Sequence, residues 1–290
     1  MATAKAKKAM PGTTVLEFDT GKIAEREREV AKESDEEILA RLGERFEILT
    51  EMTKAVKKGD VRAMIVSGPP GVGKSFGVEA VLSKDDLFDT LGNRKPKYEI
   101  VKGAMSALGL YAKLYEFSDA KNVIVFDDCD GVLMDELSLN ILKGALDSSA
   151  KRTIAWNTDS RLLRSEGIPD KFEFKGAAIF ITNIKFEHVR SKKLKDHLDA
   201  LESRCHYIDL QMDTEREKIL RIKQVVNEAG MLDSYEFDEC VKDEIVAFID
   251  ENKTKLRELS LRMVLKIADL RKSFPASWKA MSKTTCMKRV

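Results

Sequence analysis

The sequence predicts an α/β fold in which helices cover both faces of a parallel sheet, followed by a small all-α domain. Three observations carry this prediction. Short apolar runs rich in β-branched residues, at 98–103, 122–130 and 176–183, alternate with segments of helical periodicity. A further apolar run leads into a glycine-rich stretch near residue 68. Beyond about residue 212 the apolar runs stop, and only helical patterns follow.

Each helical segment has recognisable ends. The first long helix is predicted from Asp35, its expected N-cap, to a stop near Gly59. Later helices are predicted from Asp213 or Thr214 to Gly230, and near 237–250 and 259–272. We therefore expect a partly disordered N-terminal arm at 1–34, an α/β domain at 35–211 and a helical domain at 212–290.

The composition excludes several classes of protein. Fifty Lys and Arg against 49 Asp and Glu give a net charge of +1, so no overall field indicates a nucleic-acid or membrane partner. The four cysteines lie far apart, which argues against a disulfide framework or a zinc site. The N-terminus lacks the apolar stretch of a signal peptide, and no run approaches the length of a membrane span. We expect a soluble cytoplasmic protein without a membrane partner.

The stretch GPPGVGKS matches the phosphate-loop pattern G-x-x-x-x-G-K-[ST] between an expected strand and an expected helix. Glycines let backbone N–H groups approach an anion closely, and the helix N-terminus adds partial positive charge. Lys74 would reach the β- and γ-phosphates, and Ser75 would ligate Mg²⁺. The alternative is a glycine-rich turn without a ligand. The predicted nucleotide-binding residues are Gly68, Pro69, Pro70, Gly71, Val72, Gly73, Lys74, Ser75 and Phe76.

Acidic residues end the apolar run VIVFDDCD. A carboxylate at the carboxyl end of a strand beside the loop can hold Mg²⁺, and a second can orient or deprotonate water. Asp127 suits the first role and Asp128 the second, with Asp130 as an alternative base. The competing interpretation is a strand that ends in a polar turn.

These motifs, in this order, resemble those of AAA+ ATPases over residues 35–272. The resemblance implies that Asn183, at the end of IFITN, positions the attacking water. It also implies that Arg204 in LDALESRCHYIDL reaches ATP held by the neighbouring subunit, and that Arg262 in the helical lid senses the γ-phosphate. Alternatively, Arg204 is a solvated helix end and Arg262 pairs with Glu258. The chain is also similar to uncharacterised AAA+ ATPases of tailed bacteriophages, in GLYAKLYEF, SLNILKGALDS and SRCHYIDL.

The resemblance implies Mg²⁺-dependent hydrolysis of ATP at the subunit interfaces of a homo-oligomer, a hexameric ring or an open spiral. Adenine would lie near residues 46–49 and the lid, and a phage-encoded chain would act in the host cytoplasm. One residue departs from the family pattern, because Asp128 stands where a longer Glu is usual. Slow hydrolysis, or a switch that mostly binds ATP, therefore remains an alternative.

Two segments are candidates for contact with a target. Met105, Leu108, Leu110 and Tyr111 lie where the family has its central-pore loop, or they form the apolar face of a buried helix. Residues 151–195 hold eleven Lys or Arg and five Asp or Glu, and read as two short strands joined by a loop. Trp156 and Phe172 interleave with these charges, a pattern that suits single-stranded DNA. The alternative is a solvated lysine-rich face whose aromatic side chains belong to the core.

The predicted function is remodelling of DNA or of a DNA-bound protein complex, driven by ATP hydrolysis. This choice of target rests on analogy and on the basic segment. Three alternatives remain: an ATP-gated scaffold with little turnover, a protein-unfolding machine of the same family, and a phosphotransferase that uses the same loop on a small molecule.

Overall fold

The fold is known from a computed structural model, which describes residues 28–85 and 96–289. Five parallel strands form one sheet with the order β2-β3-β6-β1-β7, and a separate antiparallel pair is formed by β4 and β5. The strands are β1 (Ala63–Ser67), β2 (Tyr98–Lys102), β3 (Val123–Asp127), β4 (Thr153–Ala155), β5 (Lys171–Glu173), β6 (Ala177–Thr182) and β7 (His206–Asp209). The predicted fold class is confirmed.

The helices of the sheet-containing part pack on both faces of the sheet. They are α1 (Asp35–Lys58), α2 (Lys74–Leu82), α3 (Ala107–Glu116), α4 (Asp130–Leu133), α5 (Glu136–Ala145), α6 (Arg161–Ser165) and α7 (Lys192–Glu202). The helices that follow the sheet are α8 (Glu215–Asn227), α9 (Glu239–Glu251), α10 (Leu261–Ser273) and α11 (Trp278–Cys286). None of the helices in the described ranges is long and apolar enough to cross a bilayer.

The N-cap of helix α1 lies one residue before the predicted N-cap. Ser34, not Asp35, is the N-cap, and it forms a capping box with Glu37. Asp35 instead occupies the first turn, where its negative charge interacts favourably with the helix dipole. The helix ends at Lys58, and its C-cap Gly59 has φ of 87°, the left-handed conformation expected of a glycine at this position.

The three central strands β1, β3 and β6 are buried along their whole length, which explains their continuous apolar sequences. Their carboxyl ends come together in register. Ser67 pairs with Thr182, and Asp127 pairs with Ile181 on one side and Lys102 on the other. Strand β7 is an edge strand that the sequence patterns did not reveal, because three of its four residues are exposed.

The helices after the sheet have a core of their own, in which the rings of Phe248 and Trp278 lie 5.0 Å apart. They also contact the glycine-rich loop directly. The backbone N–H of Leu261, the first residue of α10, donates a hydrogen bond of 2.8 Å to the carbonyl oxygen of Gly71. The loop therefore lies where the two parts of the chain meet.

The segment compared with a pore loop is instead a buried helix face. Leu110 and Tyr111 in α3 are fully buried, and Met105 and Leu108 pack against the same core. The Tyr111 hydroxyl donates to the carbonyl oxygen of Pro169 at 2.9 Å. The pore interpretation is therefore wrong for Leu110 and Tyr111, because side chains held in the core have no surface to offer a target, whereas Met105 and Leu108 are half-buried.

The two short strands expected in the basic segment are confirmed as β4 and β5. The aromatic side chains of this segment, however, face inward. The rings of Trp156 and Phe172 lie 5.7 Å and 5.1 Å from the ring of Tyr111. The expectation that they stack on nucleic-acid bases is wrong, because Phe172 is buried and Trp156 packs against the core.

Most of the predicted N-terminal arm, residues 1–27, lies outside the described residues. The described end of the arm packs against its own chain. Val30 is buried, and its carbonyl oxygen accepts a hydrogen bond of 2.8 Å from Arg216 Nη1 in α8.

Candidate functional site

Lys74 is the first residue of α2, and its side chain lies against the loop that joins β1 to α2. Its Nζ donates to the carbonyl oxygens of Gly68 at 2.7 Å and Pro69 at 2.9 Å, and to Asn183 Oδ1 at 2.8 Å. Gly73, with φ of 102°, precedes it in a conformation that suits glycine. The loop and the end of β6 therefore hold the ammonium group at the N-terminus of α2.

Burial lowers the pKa of Lys74 to about 8, against the opposing effect of the carboxylates Asp128 and Asp127. The residue is only 6% exposed. A buried ammonium group that makes its contacts with carbonyl oxygens keeps a strong attraction for a polyanion placed at the loop.

Ser75 and Asp127 supply adjacent oxygen atoms. Ser75 Oγ donates to Asp127 Oδ1 at 2.8 Å, and Asp127 is 4% exposed. The other oxygen, Asp127 Oδ2, lies 3.4 Å from Lys102 Nζ at the end of the neighbouring strand. The carboxylate thus already attracts a cation.

This pair fits Mg²⁺, which prefers hard oxygen ligands and is usually held by one or two carboxylates together with phosphates and water. A set of three or more His, Cys, Asp or Glu side chains suited to a metal is absent from the described part of the chain. A site built from Ser75 and Asp127 would therefore depend on phosphate oxygens to complete the coordination.

Asp128 and Asn183 form a second pair beside Lys74. Asn183 Nδ2 donates to Asp128 Oδ1 at 2.7 Å, while its amide oxygen accepts from Lys74. Asp128 is exposed and has φ of 54°, a left-handed conformation that Asp tolerates better than most residues. The turn carries its carboxylate away from the sheet and toward solvent above the loop.

Asp130, the alternative base, has a different environment. Its Oδ1 accepts a hydrogen bond of 2.7 Å from Thr182 Oγ1. Burial raises its pKa, and the negative charge of Asp128 adds to the rise. Asp130 therefore favours the neutral form more than an exposed carboxylate does.

Arg262 approaches the loop from the first turn of α10. A Cβ added to Gly71 would lie 3.5 Å from Arg262 Cγ, and the positive charge of Arg262 contributes to the low pKa of Lys74. Glu258 pairs instead with Lys266, whose Nζ lies 2.9 Å from Glu258 Oε1, and the described residues show no ion pair between Glu258 and Arg262. The exposed guanidinium is thus available to an anion at the loop.

The region predicted to bind adenine lies at the junction of α1 and α8. The guanidinium carbon of Arg221 is 3.6 Å from the centre of the Phe46 ring. Burial lowers the pKa of Arg221 to about 10. The Phe46 ring lies 3.9 Å from where a Cβ of Gly73 would stand, and Phe76 is 77% exposed.

Arg204 is not brought together with the loop in one chain. Its polar contacts within the described ranges are with the carbonyl oxygen of Ala200 and, at 3.9 Å, with Asp147 Oδ1. The side chain is 30% exposed, and its Nε is buried without a hydrogen-bond partner. If Arg204 acts on ATP, the ATP must belong to another copy of the chain.

Sequence reasoning missed Lys102 and Thr182. Lys102 ends the strand YEIVK, and its carboxyl-terminal position beside β3 is the signal that places it near Asp127. Thr182 precedes Asn183 at the end of β6, but its hydrogen bond to Asp130 spans 52 positions and has no local signature.

Comparison with known proteins identifies one relative over most of the chain. It is the uncharacterised 36.7 kDa protein of the nrdC–mobD intergenic region of Enterobacteria phage T4. The two sequences are 32% identical over 269 residues, which cover 92% of this chain and 79% of the phage protein. The expected similarity to an uncharacterised phage protein is confirmed. No protein-family model matches the chain.

Solved structures with a similar fold have low sequence identity to the chain. The replication initiator DnaA bound to AMPPCP and single-stranded DNA has a TM-score of 0.47 and 10% identity, with 82% of this chain and 63% of that chain covered. Domain III of Thermotoga maritima DnaA has a TM-score of 0.46 and 11% identity, with 84% and 91% covered. NtrX from Brucella abortus in complex with ATP has a TM-score of 0.47 and 10% identity, with 93% and 59% covered. The chain therefore spans less than two thirds of the DnaA–AMPPCP and NtrX chains.

Proposed function

The chain belongs to the family of the uncharacterised 36.7 kDa protein of Enterobacteria phage T4, and we propose that it is an Mg²⁺-dependent AAA+ ATPase acting as a homo-oligomer. One observation carries this proposal. Asn183 joins Lys74, at the phosphate loop, to Asp128, at the end of the neighbouring strand, through hydrogen bonds of 2.8 Å and 2.7 Å. Phosphate binding and water activation are thereby linked through one side chain.

The loop amides and Lys74 bind the phosphates of ATP in this proposal. Lys74 exchanges its bonds to the Gly68 and Pro69 carbonyl oxygens for bonds to phosphate oxygens. Ser75 and Asp127 hold Mg²⁺, which supplies charge neutralisation at the β- and γ-phosphates when bound. Phe46 and Arg221 lie where adenine is expected.

Asp128 accepts the proton of the attacking water, and Asn183 orients that water. A positioned general base contributes about 10²–10⁴-fold to a rate. The Asn183 amide already occupies one oxygen of Asp128, which leaves the second oxygen for water. This same hydrogen bond favours a second candidate function, an ATP-gated switch with little turnover, since a base held by an amide activates water less readily.

Arg204 acts in trans and Arg262 in cis. An arginine supplied by a neighbouring subunit typically raises phosphoryl-transfer rates about 10³-fold or more. Arg204 would leave the Ala200 carbonyl oxygen and Asp147 to reach ATP on the next subunit, in a hexameric ring or an open spiral. Arg262 would couple movement of the helical lid, residues 212–290, to the γ-phosphate.

The work done is remodelling of DNA or of a DNA-bound protein complex. Exposed basic side chains of the 151–195 segment support contact with phosphates, although its aromatic side chains do not take part. Lys151, Lys171 and Lys192 are exposed. The phage origin of the relative supports the cytoplasm of an infected bacterium as the place of action.

The deciding experiment measures ATP hydrolysis per subunit as protein concentration rises, with and without single-stranded DNA. We expect the specific rate to climb with concentration and to rise further with DNA. Arg204→Ala should lower it about 10³-fold while ATP binding is retained. Arg289→Ala, at an exposed arginine outside the site and outside the 151–195 segment, is the matched control and should leave the rate unchanged.

A specific rate that is independent of concentration and of Arg204 would contradict shared sites and favour a phosphotransferase. ATP binding without turnover in the wild type would favour the switch. Loss of ATP binding in Lys74→Ala checks that the measured nucleotide lies in the loop.

A further inference from the structure

A second concave site lies at the opposite end of the sheet from the phosphate loop. It is a cleft of about 470 Å³ at the amino ends of β2 and β3, beside the last turns of α1 and α2. Strands rise about 3.3 Å per residue, so the five residues of β3 separate the cleft from Asp127 by about 15 Å. Six lysines line it: Lys54, Lys57, Lys58, Lys84, Lys97 and Lys121.

This lysine cleft concentrates positive charge in a chain whose net charge is +1. The described residues that line it include no Asp or Glu. Among the residues that the structure describes, the side chains of Lys58, Lys84 and Lys121 form no hydrogen bond or ion pair. All three are exposed, so they can turn toward a ligand without unfolding the chain.

Helix ends explain only part of this clustering. Lys57 and Lys58 occupy the last turn of α1, where positive charge is favoured, and Lys57 Nζ donates to the Leu82 carbonyl oxygen at 2.9 Å. Lys97 and Lys121 precede strands β2 and β3, where there is no helix C-terminus that a positive charge would stabilise. Lys121 lies close to the end of α1, because its Cγ is 3.7 Å from where a Cβ of Gly59 would stand. Four separate parts of the chain thus bring lysines to one cleft.

The floor of the cleft is apolar. Val81, Leu82 and Val123 line it between the lysines, together with the half-buried ring of Tyr98. A basic rim over an apolar and aromatic floor is the arrangement that single-stranded nucleic acid requires, since phosphates need countercharge and bases need a flat surface. Lysine is a point charge without the planar fork of arginine, which suits phosphate contacts that do not depend on sequence.

We propose that the lysine cleft binds the phosphodiester backbone of single-stranded nucleic acid. The inference rests on the proposed function only for nucleic acid as the class of target, and it adds a phosphate contact separate from that of the 151–195 segment. Because the cleft lies at the end of the sheet opposite the phosphate loop, binding there requires neither ATP nor Mg²⁺.

The test measures binding of a fluorescent oligothymidylate of about 15 nucleotides by the full-length protein, without ATP, at several salt concentrations. The variant Lys58→Glu/Lys84→Glu/Lys121→Glu should bind about tenfold or more weakly. The slope of log affinity against log salt should fall by about 2, since each lost phosphate contact contributes about 0.7. The control Lys255→Glu/Lys283→Glu/Lys288→Glu makes the same change in charge at exposed sites of the helical domain, outside both the cleft and the 151–195 segment.

An effect confined to the cleft variant supports the proposal. Equal weakening by both triple variants would overturn it, because net charge alone would then account for binding. Weakening by the control alone, or by neither, would overturn it as well. Equal affinity for polyglutamate at the same salt would assign the cleft to an acidic protein instead. ATP binding, measured separately with a fluorescent analogue, distinguishes failure of the proposed ATPase from failure of the cleft.

Discussion

Asn183 Nδ2 donates a hydrogen bond of 2.7 Å to Asp128 Oδ1, although the two residues are 55 positions apart. The bond joins the end of β6 to the turn after β3, and the same Asn183 amide accepts from Lys74. The contact orients the only exposed carboxylate in the run Asp127, Asp128 and Asp130. The predictions that follow test this arrangement and its surroundings.

Asp128→Asn should lower the rate of ATP hydrolysis about 10²–10⁴-fold and leave ATP affinity within a few-fold of the wild type, because it removes a base and not a phosphate ligand. Asn183→Ala should have a smaller effect, about tenfold to a hundredfold, since it misplaces the water without removing the base. Single-turnover hydrolysis and equilibrium binding measure the two quantities. Asp130→Asn is the comparison. If it abolishes turnover while Asp128→Asn retains it, the roles of the two carboxylates must be exchanged.

The low pKa of Lys74 predicts a pH dependence of ATP binding. With a pKa of about 8 in the free protein, the ammonium group is lost as the pH rises above 8. Phosphates favour the charged form, so the dissociation constant for ATP should increase about tenfold per pH unit above 8 until the pKa of the complex is reached. Titration with a fluorescent ATP analogue from pH 7 to about pH 9.5 measures this change.

Lys74→Met is the control for the pH profile and should bind ATP weakly, with no change in affinity in this range.

The lowered pKa of Lys74 also affects the stability of the fold. The ordinary pKa of 10.5 exceeds the folded value, so the unfolded chain binds more protons between about pH 8 and pH 10.5. The contribution of Lys74 to the free energy of unfolding should therefore rise with pH in that window. If the ATP affinity of the wild type is as independent of pH as that of Lys74→Met, Lys74 does not titrate in this range.

Gly71→Ala should disturb the contact between the loop and α10. Gly71 has φ of 71°, and an added Cβ would lie 2.8 Å from the Cβ of Ser260. Gly167→Ala is a matched control, because Gly167 has φ of 70° and no atom within 4 Å of the added Cβ. Both variants should lose about 1 kcal/mol from backbone strain.

Only Gly71→Ala should also weaken ATP binding, by about tenfold, because Ser260 must move and takes α10 with it. Thermal melting and equilibrium binding on both variants separate the two effects. Equal ATP affinities in the two variants would mean that the loop tolerates displacement of α10.

Tyr111→Ala should lower the free energy of unfolding. It should not specifically separate ATP hydrolysis from action on a target. The ring is fully buried against Trp156 and Phe172, and loss of a buried aromatic ring costs about 3–5 kcal/mol. Tyr111→Phe keeps the ring and loses the bond to Pro169, at a cost of about 1 kcal/mol. Urea unfolding measures both values, with the exposed Leu162→Ala as a near-neutral reference. If Tyr111→Ala leaves the free energy of unfolding unchanged, Tyr111 is not a buried core residue.

Some features of the site followed from local sequence. The phosphate loop is eight consecutive residues whose spacing specifies its own geometry, and its neighbours alternate in a way that a parallel sheet requires. Helix ends were predicted to within a few residues, because capping chemistry acts over one turn. The predicted N-cap Asp35 differs from the observed N-cap Ser34 because both residue types are good caps. Only the capping box with Glu37 distinguishes them.

The errors concern which side of an element is buried. Leu110, Tyr111, Trp156 and Phe172 read equally well as a surface for a target or as core, since the pattern of apolar residues does not say what covers them. Packing of α3 against the β4–β5 pair decided the question. The role of Arg204 stays a prediction, because it depends on a second copy of the chain.

By itself, the sequence determined the alternation of the strands β1, β2, β3 and β6 with helices, the loop at 68–75 and the acidic run at the end of β3, because each depends on residues close together in the chain. Only the tertiary structure decided that Asn183 links Lys74 to Asp128, that Lys102 faces Asp127, and that lysines between positions 54 and 121 surround one cleft. Such contacts join residues far apart in sequence. They form because a sheet aligns the ends of its strands, and alignment across strands leaves no mark in local spacing.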